Sequence, residues 1–572
     1  MPMTLLAAVV VGLSACALPS SSAPSGVAGQ ASNPPRVEHT LVTAVRSEPN
    51  TLAERPIQTA AAFAGLNLVR RFANAELTLL DDKLVRRSYL AEALPQLNSD
   101  TWRVSADGQM ETTWHLRPGV TWHDGAPFTS QDFTFAWQLY STPELGAGGS
   151  QFVRAVKEVA APDELTVVIR YKQPYPSADN LTGNDAFPPL PRHILEPALQ
   201  QGDLNAFANL PFWTREYIGL GPFHLDRWEP GSFMEASAFD QHILGRAKTS
   251  RLKIMFVSDV NAALARLLAG EMDLVGDSAI GLEQAFTLKG DWEKRGAGLV
   301  RLRTSQWRAT AFQLRPELVN PRALLDVRVR RALAHTVDKQ SLNDGVYHGE
   351  MSTSDYLVSP QSQWGPSVAD AVIKYPYDTR RAEQLMNEAG LTRSPDGFFT
   401  SPTEGRFKAE LKTAESPDWV NEMTIMAAAW RKTGLDIQDA VLPAALSLDP
   451  ESRVTFPGMF TSTTSQGETA LTGYTTAQIP KVEDRWRIGS NRGGWSSPDY
   501  DRLLAAYFTT LEPSQRGAQM AQMAKVFTED MPMISLLFLA QPYAHVSALR
   551  GVLPVAPEGD ITWNIHEWEW NP

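Results

Sequence analysis

Cysteine is nearly absent: the 572-residue chain has one, Cys16. No intrachain disulfide and no cysteine-rich metal site can form beyond it. Histidine does not supply the missing ligands, because none of the ten histidines stands three or four residues from another. No GxxxxGK[ST] phosphate loop, no HExxH helix and no GxSxG elbow occurs, so the common phosphate-loop, zinc-hydrolase and nucleophile-elbow chemistries have no motif here. Long Lys/Arg runs are missing as well. With a formal charge of −12, the chain is poorly suited to neutralising a nucleic-acid backbone. No segment repeats at a period of 20 to 50 residues, which excludes the usual solenoids. Carboxylate pairs carry no information in a chain with 64 acidic residues. No catalytic residue, metal site or cofactor is therefore assigned.

The chain is rich in aromatics. Sixteen tryptophans suit a protein that buries large rings or lines a cleft with them. The length predicts roughly three to four structural units. Near the N-terminus, Leu5 to Ala15 (LLAAVVVGLSA) is apolar and ends at Cys16. It is shorter than the ~20 residues that span a bilayer, and its length fits the apolar core of an export signal. The preceding MPMT lacks the basic residue usual there. The nineteen residues that follow Cys16, ALPSSSAPSGVAGQASNPP, contain no charge. They read as a flexible tether with an rms reach of about 25 Å.

The densest pattern is LRPGVTWHDGAPFTSQDFTFAW, residues 116 to 137. Met110, Thr112, Trp114 and Leu116 precede and enter it on one face of a period-2 strand. Arg117-Pro118-Gly119 and His123-Asp124-Gly125 are turns. Thr129 and Asp132 are spaced as a capping box, and Phe128 and Phe133 as its hydrophobic staple. Phe133, Ala136, Trp137 and Tyr140 then form a helical stripe. Neighbours in a tight turn point apart, so His123 and Asp124 are read as scaffold. Gly219 and Gly221 lack the third glycine of a dinucleotide loop and are read as a tight backbone crossing. Residues 174 to 222 read as an irregular, surface-wrapping segment. Residues 326 to 342 read as one basic amphipathic helix with Arg328, Arg330 and Arg331 on a solvated face. Helices are also expected over 259–269, 378–389 and 498–511, and strands over 40–46, 165–171, 301–314 and 531–538. Strands and helices alternate unevenly, so the class is α/β with long insertions.

Residues 116 to 137 resemble the signature of extracytoplasmic solute-binding proteins of the peptide/nickel type, the family-5 receptors of ABC importers. Further segments match in the same order. They are SEPNTL, YIGLGPFHLDRWEPG with Leu220 where Thr is usual, LLAGEMDLV, DVRVRRALAHTVDKQSL, YDTRRAEQLMNEAGL with Thr379 replacing Pro, WSSPDYDRLL and MPMISLLF. Together they run from about residue 40 to about 540. Leu13-Ser14-Ala15-Cys16 resembles the bacterial lipobox, which implies a signal peptide over 1–16 and a lipidated Cys16.

The resemblance implies a type II periplasmic-binding-protein fold: two α/β lobes, a hinge and an inserted third domain. Lobe 1 is expected over 36–75, 206–304 and 535–572, the insert over 76–205 and lobe 2 over 305–534, with 17–35 as tether. It also implies an extracytoplasmic monomer, lipid-anchored to the cell membrane. Such a receptor captures a peptide or small solute and docks on a permease and ATPase complex. Ligand contacts are expected at Ser47, Glu48, Pro49, Thr413, Asp484, Trp486 and Trp495, with Asp484 facing a cationic group. Arg485, Arg487 and Arg492 lie close enough in sequence to neutralise Asp484, which leaves a neutral or anionic ligand open. Peptides, nickel chelates, oligosaccharides and opines are all served by the family. The alternative is a relative that kept the fold but serves as a surface sensor, chaperone or assembly factor.

Overall fold

The computed structural model describes residues 39–53, 66–145, 150–182, 187–276, 278–557 and 559–571. The export signal, Cys16 and the tether lie outside the described residues. His39–Pro572 forms one compact unit.

An eleven-stranded mixed sheet runs through this unit. At its centre lie two long antiparallel strands, Gly298–Phe312 and Met533–Val546. Their register runs from Gly298 opposite Val546 to Ala311 opposite Met533, with irregularities between Thr304 and Gln306 and between Arg308 and Ala309. Extra residues at such points bend and twist a ladder. On one side, Thr40–Val45 pairs in parallel with Arg251–Phe256. On the other, Lys408–Ala414 pairs in parallel with both Asp436–Leu442 and Met459–Thr464. Each side has its own apolar core. The first includes Leu41, Val69, Leu252 and Tyr543, and the second includes Val329, Leu333, Met423 and Ile437. The long strands carry the chain from one half to the other and back.

Residues 102–171 build a separate four-stranded sheet. The period-2 reading holds: Met110, Thr112 and Trp114 are buried along Met110–His115. The helix Ser130–Tyr140 starts where its cap predicts. The Asp132 carboxylate accepts the Thr129 N–H at 2.9 Å. Phe128 and Phe133 meet edge-on with centroids 5.8 Å apart. Gly219 and Gly221 sit on the backbone of Phe72–Ala73, where a Cβ at either would collide with main-chain atoms. A close crossing is therefore the reason for both glycines.

Four expectations are corrected. The basic segment is two helices, Val327–His335 and Lys339–Tyr347, because Asp338 caps a new start by accepting the Ser341 N–H. Arg330 is not on a solvated face. It is buried and donates to the carbonyls of Leu324, Leu325, Asp530 and Met531. The segment 174–222 is neither wholly irregular nor only a surface wrap: it holds the helices Arg192–Leu199 and Leu204–Ala208, whose outer faces are exposed. Tyr175, Leu181, Phe187, Phe212 and Trp213 enter the first core. The last long strand runs to Val546, well past Phe538, because its second part pairs in the first half.

Candidate functional site

The opening signature has its polar groups occupied. His123 donates from Nε2 to the Gly221 carbonyl at 2.9 Å and accepts the Gly219 N–H on Nδ1 at 3.2 Å. Burial pushes its pKa down to about 4, and nearby His224 and His242 add to that, so the ring is neutral. Asp124 points elsewhere, to the Ala126 N–H and to His193 Nε2 at 2.8 Å. The two side chains diverge as expected of a turn, and no acid–base pair forms.

The first loop follows Thr40–Val45 at its carboxyl end. Ser47 is exposed and Pro49 is buried. Glu48 is held within its own half: one oxygen accepts Trp228 Nε1 at 2.7 Å and the other the Gly231 N–H at 2.8 Å. Its carboxylate fixes the loop against the hairpin formed by Phe223–Glu229 and Phe233–Ala238.

In the second half, Thr413 belongs to a fully buried ionic network. Arg308 Nε donates to Glu422 at 2.9 Å, and a second nitrogen donates to the Thr413 hydroxyl at 3.2 Å. Thr413 in turn donates to the Thr461 carbonyl, and Tyr347 donates to the other Glu422 oxygen at 3.0 Å. Trp419 lies 4.5 Å from the Arg308 guanidinium carbon. Buried charge is tolerable here because both ions are paired and bonded further. Thr413 therefore supports this network from inside, with its hydroxyl already engaged.

Asp484, Trp486 and Trp495 fall on one segment but in different settings. Asp484 is exposed and has no ion pair among the described residues. Arg485 and Trp486 both have positive φ, at 51° and 61°, a costly conformation for side chains of this size. Trp486 is half-buried beside Arg315. Trp495 is buried, donates to Asp530 at 3.1 Å and packs edge-on against Tyr500 and Phe527. It also walls a cavity of about 80 Å³ whose other sides include Ser462, Thr463, Thr464, Tyr474 and Arg492. Ser462 to Thr464 form the carboxyl end of a strand running parallel to Lys408–Ala414. Ligands of α/β sheets gather at such ends.

Residues that local patterns left out join the two halves. Glu283 of the helix Leu282–Arg295 meets His348 at 3.2 Å, Phe286 packs edge-on against the same ring, and Lys289 meets Glu350 at 3.6 Å. Asp418 senses this junction: burial raises its pKa, Glu283 raises it further, and His348 opposes both. Nothing in the local sequence marks these residues, because each pair is distant in the chain. A larger cavity, about 500 Å³, lies away from all of these groups, among helices Lys339–Tyr347, Thr379–Glu388 and Pro417–Lys432. Among the described residues, no cluster of three or more His, Cys, Asp or Glu could hold a metal, and no helix is long and apolar enough to cross a membrane.

This geometry offers two cores, strand ends between them and long connecting strands. The model for the bacterial extracellular solute-binding proteins, family 5, matches residues 92–478, more than half of the chain.

The chain belongs to that family. The oligopeptide-binding protein AppA of Bacillus subtilis is 23% identical over 582 residues, covering 99% of this chain and 98% of that one. Among solved structures, NikZ from Campylobacter jejuni in complex with Ni(L-His) superposes with a TM-score of 0.71 at 22% identity, covering 93% and 99% of the two chains. The oligopeptide-binding protein of Thermus thermophilus, complexed with a pentapeptide, gives 0.69 at 21%, covering 93% and 96%. The fold of this family-5 protein is thus the two-lobed type II arrangement with an inserted domain.

Proposed function

We propose that this family-5 protein is the solute receptor of an ABC importer, held outside the cell membrane by a lipidated Cys16, and that it captures a peptide or a similar small solute between its lobes. The observation that carries this reading is the hinge. Two cores are joined by a pair of bulged strands, with the carboxyl ends of parallel strands gathered beside them. A solute touching both lobes favours the closed arrangement by its differential contacts, and the closed receptor then docks on the permease. Lobe 1 is assigned to 36–75, 206–304 and 535–572, the insert to 76–205 and lobe 2 to 305–534. Ser47, Asp484, Trp486 and Trp495 are the proposed solute contacts. Glu48, Pro49 and Thr413 hold the surfaces that carry them. No step of this cycle makes or breaks a covalent bond.

The test is a thermal-shift screen of the purified chain with peptides and sugars, alongside native mass spectrometry of the protein as isolated. A bound solute at a hundred times its Kd stabilises the folded state by ~2.7 kcal/mol, which raises the unfolding midpoint measurably. A flat screen together with a ligand-free mass spectrum would remove the receptor reading.

A further inference from the structure

The helix Leu282–Arg295 buries Ala285, Leu288 and Trp292 in a core shared with Ala44 and Val275. The helix Lys339–Tyr347 buries Leu342, Val346 and Tyr347 in a different core, with Val329 and Ile437. One helix thus belongs to lobe 1 and the other to lobe 2, and side chains join them. Glu283 meets His348 Nε2 at 3.2 Å, Phe286 packs edge-on against the same imidazole with centroids 5.1 Å apart, and Lys289 meets Glu350 at 3.6 Å. The junction lies on the cleft side of the sheet. Leu282–Arg295 follows the carboxyl end of Leu274–Val275, and Pro417–Lys432 follows the carboxyl end of Lys408–Ala414. Each helix carries an acidic residue in its first turn, Glu283 in lobe 1 and Asp418 in lobe 2. Asp418 lies within electrostatic reach of both partners: burial raises its pKa, Glu283 raises it further, and His348 lowers it.

The imidazole is braced from its own lobe. His348 ends its helix at a positive φ of 55°. Next to it, the Tyr347 hydroxyl donates to buried Glu422 at 3.0 Å. Buried Asn343 donates to the Met351 carbonyl at 2.7 Å and accepts the Met351 N–H at 3.1 Å. Ser352 and Thr353 then pair with Phe538 and Leu537 of the long connecting strand. With both ends of its loop anchored, His348 moves with lobe 2, so motion between the lobes makes or breaks its contact with Glu283. The charged groups around it are Glu283 and Lys289 from lobe 1, and Asp344, Glu350 and Asp418 from lobe 2. Lys289 and Glu350 match each other, and Asp344 accepts from Gln340 at 2.8 Å. What remains is one imidazole between two carboxylates of different lobes. Imidazole changes charge between about pH 5 and 8. In its charged form it is attracted to both carboxylates and to the negative end of its own helix. In its neutral form the two carboxylates repel each other with nothing between them.

We propose that His348 is a proton-dependent latch between the lobes: protonated, it binds Glu283 and Asp418 together and favours the closed cleft, and neutral, it lets the two carboxylates push the lobes apart. The latch rests on the lobe assignment of the receptor reading above and adds its regulation. Mild acid favours holding a solute and alkali favours its release. The His348 and Glu283 side chains are 59% and 68% exposed, so the effect is that of a surface ion pair, a factor of about two to five in the ratio of closed to open molecules.

The distance between the lobes can be read without any solute. Spin labels are placed at exposed Lys294→Cys and Lys432→Cys in the full chain carrying Cys16→Ser, and double electron–electron resonance gives the distance distribution. Lowering the pH from about 8 to about 5.5 is expected to raise the ratio of short to long distances by about two- to fivefold. His348→Gln and Glu283→Gln should abolish that rise. Asp418→Asn should keep the short distances at the higher pH, because the repulsion is gone. Lys289→Gln should lower the short population at both pH values and leave the pH dependence intact, since neither Lys289 nor Glu350 is an imidazole. Circular dichroism checks that each variant keeps its fold. A distribution that does not respond to pH in the unsubstituted chain, or responds equally in His348→Gln, overturns the latch. A flat solute screen with a pH-dependent distance removes the receptor reading and keeps the latch, and solute binding with a pH-independent distance does the reverse.

Discussion

The signature at residues 116–137 and the loop at residues 481–495 are both dense in aromatic and charged residues, yet they behave oppositely. In the signature, His123, Asp124 and Asp132 each have a defined partner within the fold. In the loop, Asp484 and Arg492 have no ion pair among the described residues, and two large side chains sit at positive φ. Satisfied polar groups hold a scaffold together. Unsatisfied ones in a strained segment are where the proposed solute contacts lie. A conspicuous motif is therefore a poor guide to where a solute is held.

Acid is the strongest lever on this contrast. His123 is neutral with its pKa lowered from 6.5 to about 4. Its contribution to stability is complete above pH ~6.5 and is lost as the pH falls toward 4, on the order of 3 kcal/mol. Buried His242, also lowered to about 4, acts in the same direction. Urea unfolding between pH 7 and pH 4 should show the loss, and His123→Gln should flatten part of the slope. A slope unchanged in that variant would show that the ring is not held neutral by the scaffold.

Asp124→Ala should cost about 1–2 kcal/mol, because it removes a bond from His193 and one from the turn backbone. Solute preference should not move. An altered preference with normal stability would break the division between the two regions. In the loop the sign reverses. Arg485→Gly relieves a positive φ and should raise the unfolding free energy by ~1 kcal/mol, measured by denaturant titration. A loss of stability there would mean that the loop is braced like the scaffold. Asp484→Asn is the smallest structural perturbation, expected within ~0.5 kcal/mol in unfolding. It should weaken a solute carrying an amine several-fold in calorimetry, and unchanged affinity would remove Asp484 from the site.

Local chemistry was readable where its causes are local. Period-2 alternation placed Met110–His115, cap residues placed Ser130–Tyr140, and the two glycines at 219 and 221 announced a backbone crossing. The reading failed where a distant partner decides. Arg330 looks like one of three surface arginines, but the carbonyls of Asp530 and Met531 reach it from across the lobe. Thr413 looked available to a solute until Arg308, more than a hundred residues away, took its hydroxyl. Glu48 was marked by its loop, but its partners Trp228 and Gly231 give it an anchoring role.

Residue spacing along the chain sets the α/β class, the capped and alternating elements, and the resemblance that the family comparison then established. These depend on spacings of two to seven residues, which a chain carries wherever it folds. Which charges are neutralised emerges in three dimensions alone. Among the described residues, Arg308 and Arg516 have ion-pair partners and Arg330 has four carbonyls, while Arg492 and Arg453 have no ion pair, because compensation depends on distance in space, and residues far apart in the chain supply it.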